Sequence, residues 1–263
     1  MVRMMVDLWK NKRLIWDLTK KDFKQRYVDS YLGILWAFIQ PTITVFIFWF
    51  VFEVGFKSAS IGKVPFVLWL ICAMFPWNFF SEGINAATYS IISNSFLVKK
   101  VVFRVSLLPL VQISSALIIH IFFVCLTFVL FLLYGYMPSI YALQVLYYLF
   151  ASICLVFGMS LITASLVVFL KDVGQCVSMC LQFGFWLTPI FWNLQQIPER
   201  YRWIIEMNPM YYITQGYRDA FINHKWFWEM GMTNLYFWGI TLFLMILGIK
   251  IYKKLRPHFA DVL

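Results

Sequence analysis

The chain has 263 residues, of which 62% are hydrophobic, 21% aromatic and only 13% charged, with a formal net charge of +10. A soluble domain typically carries about 25% charged residues, so a water-soluble globule would lack the charges to cover its surface, and a disordered chain would need the opposite bias. Together with a mean hydropathy of +0.76, this composition defines an all-α polytopic membrane protein.

The basic excess reflects membrane topology, not nucleic-acid binding. Arg3, Lys10, Lys12, Arg13, Lys20, Lys21, Lys24 and Arg26 crowd the start, and Lys250, Lys253, Lys254 and Arg256 the end. Both clusters flank apolar segments, where basic residues mark the cytoplasmic side and meet anionic lipid headgroups. Interleaved Asp7, Asp17, Asp22 and Asp29 make the start a mixed amphipathic helix instead of a polybasic tail. The start also lacks the apolar core of a secretory signal, so the first span is expected to act as an uncleaved signal.

In chain order, residues 1–28 place Met5, Leu8, Trp9, Ile15, Trp16, Phe23 and Tyr27 on one helical stripe. This predicts a helix lying in the cytoplasmic interface with its long basic side chains snorkelling outward. A spanning helix needs about 20 apolar residues, and that ruler predicts six spans, over 31–56, 64–92, 105–134, 142–170, 173–192 and 235–252. With the N-terminus inside, sixteen Lys and Arg residues fall on the cytoplasmic side and six outside. Both termini, including the 253–263 tail, are therefore placed in the cytoplasm. The whole chain reads as a single transmembrane domain.

Two connections exceed a simple turn. Residues 93–104 (SNSFLVKKVVFR) are the only sizeable cytoplasmic loop between spans, short and amphipathic. Residues 193–229 form an external insert with two candidate helices split at Asn208-Pro209. In the first, Ile197, Tyr201, Ile204 and Ile205 share a face, with Glu199, Arg200, Arg202 and Glu206 off it. Too short and too apolar for a soluble domain, the insert is expected to dip into the outer leaflet as a pair of re-entrant gate helices. Ile204 and Tyr212 are expected to meet lipid. Arg218, beside Asp219, either fixes the second arm through a local ion pair or contacts a ligand.

Catalytic signatures fail in turn. The chain has no GxxxxGK[ST] or GxGxxG loop for a nucleotide, no HExxH and no GxSxG elbow. Cys72, Cys125 and Cys154 sit in apolar runs, and Cys176 with Cys180 cannot alone complete a metal site. Neither a metal nor a cofactor is expected on this chain. Charges at membrane depth are costly and face a cavity or a partner. Glu53 lies near the end of its span, whereas Glu82 lies deeper, with Asn85 on the same side; Glu82 lines a polar path or makes an interhelical hydrogen bond. Six spans with no energy source of their own read as a channel, a secondary transporter, a membrane enzyme or the permease of a pump. Few buried charges and no convincing repeat weigh against a secondary transporter.

Four stretches carry a specific resemblance. Residues 18–27 (LTKKDFKQRY), with 32–37 (LGILWA) and Pro41, open the chain; FPWNFF (75–80) follows in the second span. Residues 94–100 and Leu108-Pro109-Leu110 surround the cytoplasmic loop, and Thr188-Pro189-Ile190, Ile197-Pro198-Glu199, Asn208-Pro209 and Tyr217-Arg218 lie in the outer region. In these stretches the chain resembles the permease subunit of type-2 ABC exporters of lipid-linked polysaccharides: O-antigen, teichoic acid and capsule. Arg104 and Ser106 stand where that family often shows Pro and Glu.

The resemblance implies a homodimer enclosing a channel in the bacterial inner membrane, bound to two ATP-binding-cassette ATPase subunits that hold ATP and Mg. It also implies a glycan linked to undecaprenyl diphosphate, with O-antigen as the first expectation and teichoic acid or capsule as the alternative. Residues 93–104 would then be the coupling helix, with Phe96 and Phe103 as anchors and Lys99, Lys100 and Arg104 as rim. A sliding glycan needs weak, interchangeable contacts, which aromatic faces supply. Trp36, Phe46, Trp49, Phe183 and Trp186 are candidates for the lining, although interfacial belts also collect tryptophan. The alternative from another class is a membrane-embedded glycan-processing enzyme, for which Glu199, Glu206, Asp219 and His224 are the available material.

Overall fold

The computed structural model describes residues 12–25, 32–55, 64–99 and 104–263. Among these residues every regular element is helical. The amphipathic start appears as α1 (Lys12–Gln25); the rest of that expected helix lies outside the described residues. A 3₁₀ turn, Gly33–Leu35, leads into α2 (Trp36–Trp49), which ends in a π turn, Phe50–Gly55. Pro41 lies inside α2, where the missing N–H forfeits one backbone bond. Thr42 and Thr44 donate their hydroxyls to the carbonyls of Phe38 and Gln40, four residues back.

The axis of the fold is α3 (Phe66–Ser93). Its most apolar stretch is 78% buried, against 6% for the span containing α2. Four helices surround it, namely α2, α5 (Leu107–Leu133), α6 (Val145–Val167) and α7 (Asp172–Leu187), and the short helix α9 (Pro209–Arg218) caps its beginning. Between lipid-embedded helices the hydrophobic effect supplies little, so association depends on small residues and paired polar groups. Both are present. Thr88 of α3 donates to Ile84's carbonyl and lies 2.8 Å from the Thr163 hydroxyl of α6. On α7, Gly174 leaves room for the Tyr89 ring, and a Cβ at Gly184 would stand 3.0 Å from Trp77.

The last span, α10 (Met232–Leu255), lies along α6. Gly158 and Gly248 let these backbones touch: a Cβ at Gly248 would stand 2.7 Å from the Gly158 carbonyl oxygen. At the other side α1 docks on α5, where Asp22 accepts hydrogen bonds from Gln112 (2.7 Å) and Ser115 (2.8 Å). Thr19 of α1 is fully buried. A helix expected merely to float in the interface is thus clamped to the second turn of a span.

Among the described residues, five helical segments are long and apolar enough to cross a membrane: Gly33–Gly55, Phe66–Ser93, Leu107–Leu133, Ile140–Val167 and Met232–Val262. The expected span over 173–192 instead forms the 16-residue α7. At about 1.5 Å per residue that is about 24 Å, short of a hydrocarbon core of about 30 Å. Pro189 is the cause. It forces Thr188 into an extended conformation, with ψ 133°, and the chain leaves the helix there.

The Gly158–Gly248 contact is open to test. Gly248→Ala should lower stability by about 1–3 kcal/mol, as overpacking does, read as an earlier loss of the monodisperse peak on heating in detergent. Gly239→Ala on the same helix, where nothing lies within 4 Å of a new Cβ, should leave the profile unchanged. An equal effect of both would show that α6 and α10 are not held by close backbone contact.

Candidate functional site

The described residues carry three candidate functional regions. At the end where α3 finishes, Asn94 folds its amide back onto the Ser90 carbonyl (2.9 Å), and a one-turn helix, α4 (Ser95–Val98), follows. Leu97 and Val98 pack inward while Phe96 and Lys99 are exposed. Arg104, where the described chain resumes, is also exposed; Lys100 and Phe103 lie outside the described residues. The C-terminal residues do more than trail. The short helix α11 (Phe259–Val262) rests against α4, and its Phe259 is fully buried beside Phe169 and Tyr252. The loop, the turn before α7 and the C-terminus therefore form one continuous face.

The second region is a cavity of about 280 Å³ between α2, α3 and α5. Trp36 and Glu82, both candidates for a polar path, line it together with Gln40, Thr44, Asn78 and His120. Sequence reasoning had passed over His120. Its Nε2 meets the Tyr217 hydroxyl at 2.8 Å, tying the cavity wall to α9. A lone histidine in an apolar span is itself a signal of a polar partner, but nothing in the sequence names Tyr217. The other aromatic candidates lie elsewhere. Phe46 and Trp49 pack on each other along α2 at 5.5 Å, and Phe183 and Trp186 point outward from α7. Phe48 joins the two helices by contacting Phe185 and Phe191.

The third region is the insert. Asn208 caps α9 by accepting from the Met210 N–H (3.0 Å) and donates to Thr188 Oγ1 at 2.8 Å. This bond ties the insert to the break after α7. Before it, α8 (Glu199–Glu206) turns only Ile205 inward; Tyr201 and Ile204 are exposed, and Ile197 is half-buried. The expected common face is thus split, because Ile204 and Ile205 lie about 100° apart around a helix.

Two expectations for α9 are corrected. Tyr212 does not face lipid: it is 1% exposed, and its hydroxyl bonds Tyr147 (2.9 Å) and Asn234 (3.1 Å). The reason is that α9 is buried on several sides, against α3, α6 and α10, with Gly216 giving way to the Tyr148 ring. Nor does Arg218 pair with Asp219. It is 2% exposed and donates from Nη2 to the Ile190 carbonyl (2.9 Å) and from Nε to the Trp69 carbonyl (3.4 Å). Its guanidinium lies 3.4 Å from the centroid of the Trp69 ring. Burial pulls the Arg218 pKa down, but a guanidinium stays protonated in proteins. Carbonyl dipoles and a ring face therefore stabilise a buried cation that joins α9, α3 and the break after α7.

The acid–base material for an enzyme is dispersed into local contacts. Glu199 pairs with Arg202 at 3.5 Å, Asp219 accepts from Gln215 and Asn223, and His224 lies against Tyr141.

A bundle that has, among the described residues, five helices long and apolar enough to cross a membrane is that of a multi-pass membrane protein. The ABC-2 type transporter family matches residues 13–222, and the chain belongs to that family. Two O-antigen export system permease proteins RfbA from Klebsiella pneumoniae are each 32% identical to it over 251 residues, covering 94% of this chain and 93% of the relative. An RfbA permease from Myxococcus xanthus is 28% identical over 265 residues, covering 99% of both chains.

Arg218→Met removes two charge-assisted hydrogen bonds, each worth about 1.5–3 kcal/mol, and should loosen α9. With Ile213→Cys as reporter in a background free of native cysteines, a membrane-impermeant maleimide should label the Met variant at least about tenfold faster, the equivalent of about 1.4 kcal/mol. Equal protection in both would mean that apolar packing alone holds α9.

Proposed function

We propose that the chain is the channel-forming permease of an ATP-driven exporter that carries O-antigen, linked to undecaprenyl diphosphate, out of the cytoplasm across the bacterial inner membrane. The observation that carries this reading is identity of 32% across 94% of the chain to proteins named as O-antigen export permeases. Family membership brings with it an ATP-binding-cassette partner, so ATP and Mg belong to that subunit. In this reading two copies of the chain and two ATPase subunits form the working exporter, with all termini in the cytoplasm.

The arrangement of residues supports the assignment of roles. Phe96 is an exposed aromatic on a one-turn helix whose other apolar residues pack inward. That is what an anchor for another protein requires, with Lys99 and Arg104 beside it and Lys100 and Phe103 completing the loop. A second copy apposed to α2 and α7 would enclose the outward-facing Phe46, Phe183 and Trp186 and the half-buried Trp49, and would extend the cavity of Trp36 and Glu82 into a path. The sixth crossing is then completed by α7 together with residues 188–192.

Deleting the gene should abolish surface O-antigen and leave lipid-linked polysaccharide inside the cell, and the wild-type chain should restore export. In the same strain Phe96→Ala with Lys99→Glu should reduce both export and copurification of the ATPase by about tenfold, a loss of about 1.4 kcal/mol at that interface. Normal surface polysaccharide in the deletion strain would refute the reading.

A further inference from the structure

A second cavity of about 310 Å³ opens between the break after α7, α9 and the π turn Asp219–Asn223 that follows it. This falls within the range of about 300–1,000 Å³ common for small-molecule sites. Its polar lining comes from Asn193 and Gln195 on one segment and from Gln215, Arg218 and Asn223 on the other, and Trp69 of α3 adds an aromatic wall.

The hydrogen bonds already made in this wall decide what it has left to offer. Gln215 Nε2 and Asn223 Nδ2 both donate to Asp219 Oδ1, at 3.0 and 2.7 Å. Neither amide can flip without losing that bond, so each keeps its carbonyl oxygen as an acceptor. Asn193 is fixed the opposite way: its Oδ1 accepts from the Gln195 N–H at 3.0 Å, which leaves its Nδ2 as a donor. Arg218 has five N–H donors, and two of its nitrogens serve the Ile190 and Trp69 carbonyls. The lining thus mixes acceptors of fixed orientation with donors.

That mixture discriminates among ligand classes. An anion needs donors only and would face the amide carbonyls of Gln215 and Asn223. An apolar group would strand every polar atom, each at a cost of about 1–3 kcal/mol. A hydroxyl both donates and accepts, and a ring bearing several hydroxyls can satisfy both kinds of wall at once.

We propose that this cavity is a subsite for one neutral pyranose residue of the emerging glycan, held through its hydroxyls by Asn193, Gln215, Arg218 and Asn223. The assignment rests on the exporter reading and adds to it a place where the exported chain is touched as it leaves. Binding by a few neutral hydrogen bonds is weak, so successive sugars can enter and leave without stalling transport. The same cavity borders the Arg218–Trp69–Ile190 clamp, so an occupant touches the very group that holds α9 in place.

The test uses the full-length chain in lipid nanodiscs and saturation-transfer NMR, with the methyl glycosides of glucose, galactose and mannose and with glucuronate as probes. At least one neutral glycoside should receive saturation, and glucuronate less. Asn193→Asp keeps the capping oxygen but removes the donor, and Gln215→Met removes the acceptor at similar size; each should weaken binding at least about fivefold. Absence of transfer to every neutral glycoside, transfer unchanged in both variants, or transfer to glucuronate alone would each overturn the subsite. Export by the same wild-type chain in the deletion strain separates the two levels. Export without sugar binding removes the subsite and leaves the exporter. Binding without export removes the exporter reading, and with it the assignment of the sugar to a passing glycan.

Discussion

Helices dissolved in lipid gain little from burying apolar surface, so a bundle holds together only where backbones approach closely or polar groups find one another. On α3 both conditions meet. Among the described spans its apolar stretch is the most buried, at 78%, and its neighbours reach it through Thr88 and Thr163, through Gly174 under Tyr89 and through Gly184 under Trp77. Everything functional is then placed relative to this helix. Its last turn leads into the short helix carrying Phe96, its middle supplies Asn78 and Glu82 to the inner cavity, and its first turns supply Trp69 to the clamp on Arg218.

Several of the buried polar side chains act as ties between elements distant in sequence. Asp22 fastens the N-terminal helix to α5, and Asn208 fastens the insert to the break after α7. His120 has a double position, lining the inner cavity while bonding Tyr217 on α9. The next residue, Arg218, holds the outer end of α3. Two adjacent residues of α9 thus connect it to the inner cavity and to the outer end of the bundle.

Much of this plan was legible in the sequence. Apolar length located five of the spans, the Asn208-Pro209 break located the boundary between α8 and α9, and the composition fixed the class. The differences have two causes: a local helix break at Pro189, and contacts between distant segments, which leave no local mark. Residues 173–192 pass the hydropathy ruler as a span, yet Pro189 ends the helix at Leu187, because apolar length counts residues and not helix breaks. Tyr212 looked lipid-facing because a helical stripe was assumed to have one buried face, whereas α9 is enclosed by three helices. Arg218 looked paired with Asp219 because they are adjacent, whereas the carbonyls it reaches lie 28 and 149 residues away in sequence. The scattered aromatics show the reverse limit: Trp36 and Glu82 do share a cavity, while Phe183 and Trp186 share only an outward direction.

The account stands or falls on whether this chain moves a glycan under the power of another subunit. The direct measurement reconstitutes it with its ATP-binding-cassette partner in liposomes carrying lipid-linked O-antigen on the outer leaflet, where the ATPase also faces. The account predicts that adding ATP makes the glycan progressively resistant to an external glycosidase, and that without ATP, or with an ATPase unable to hydrolyse it, the glycan stays exposed. Protection that develops equally without ATP, or that never develops although the complex hydrolyses ATP, would contradict it.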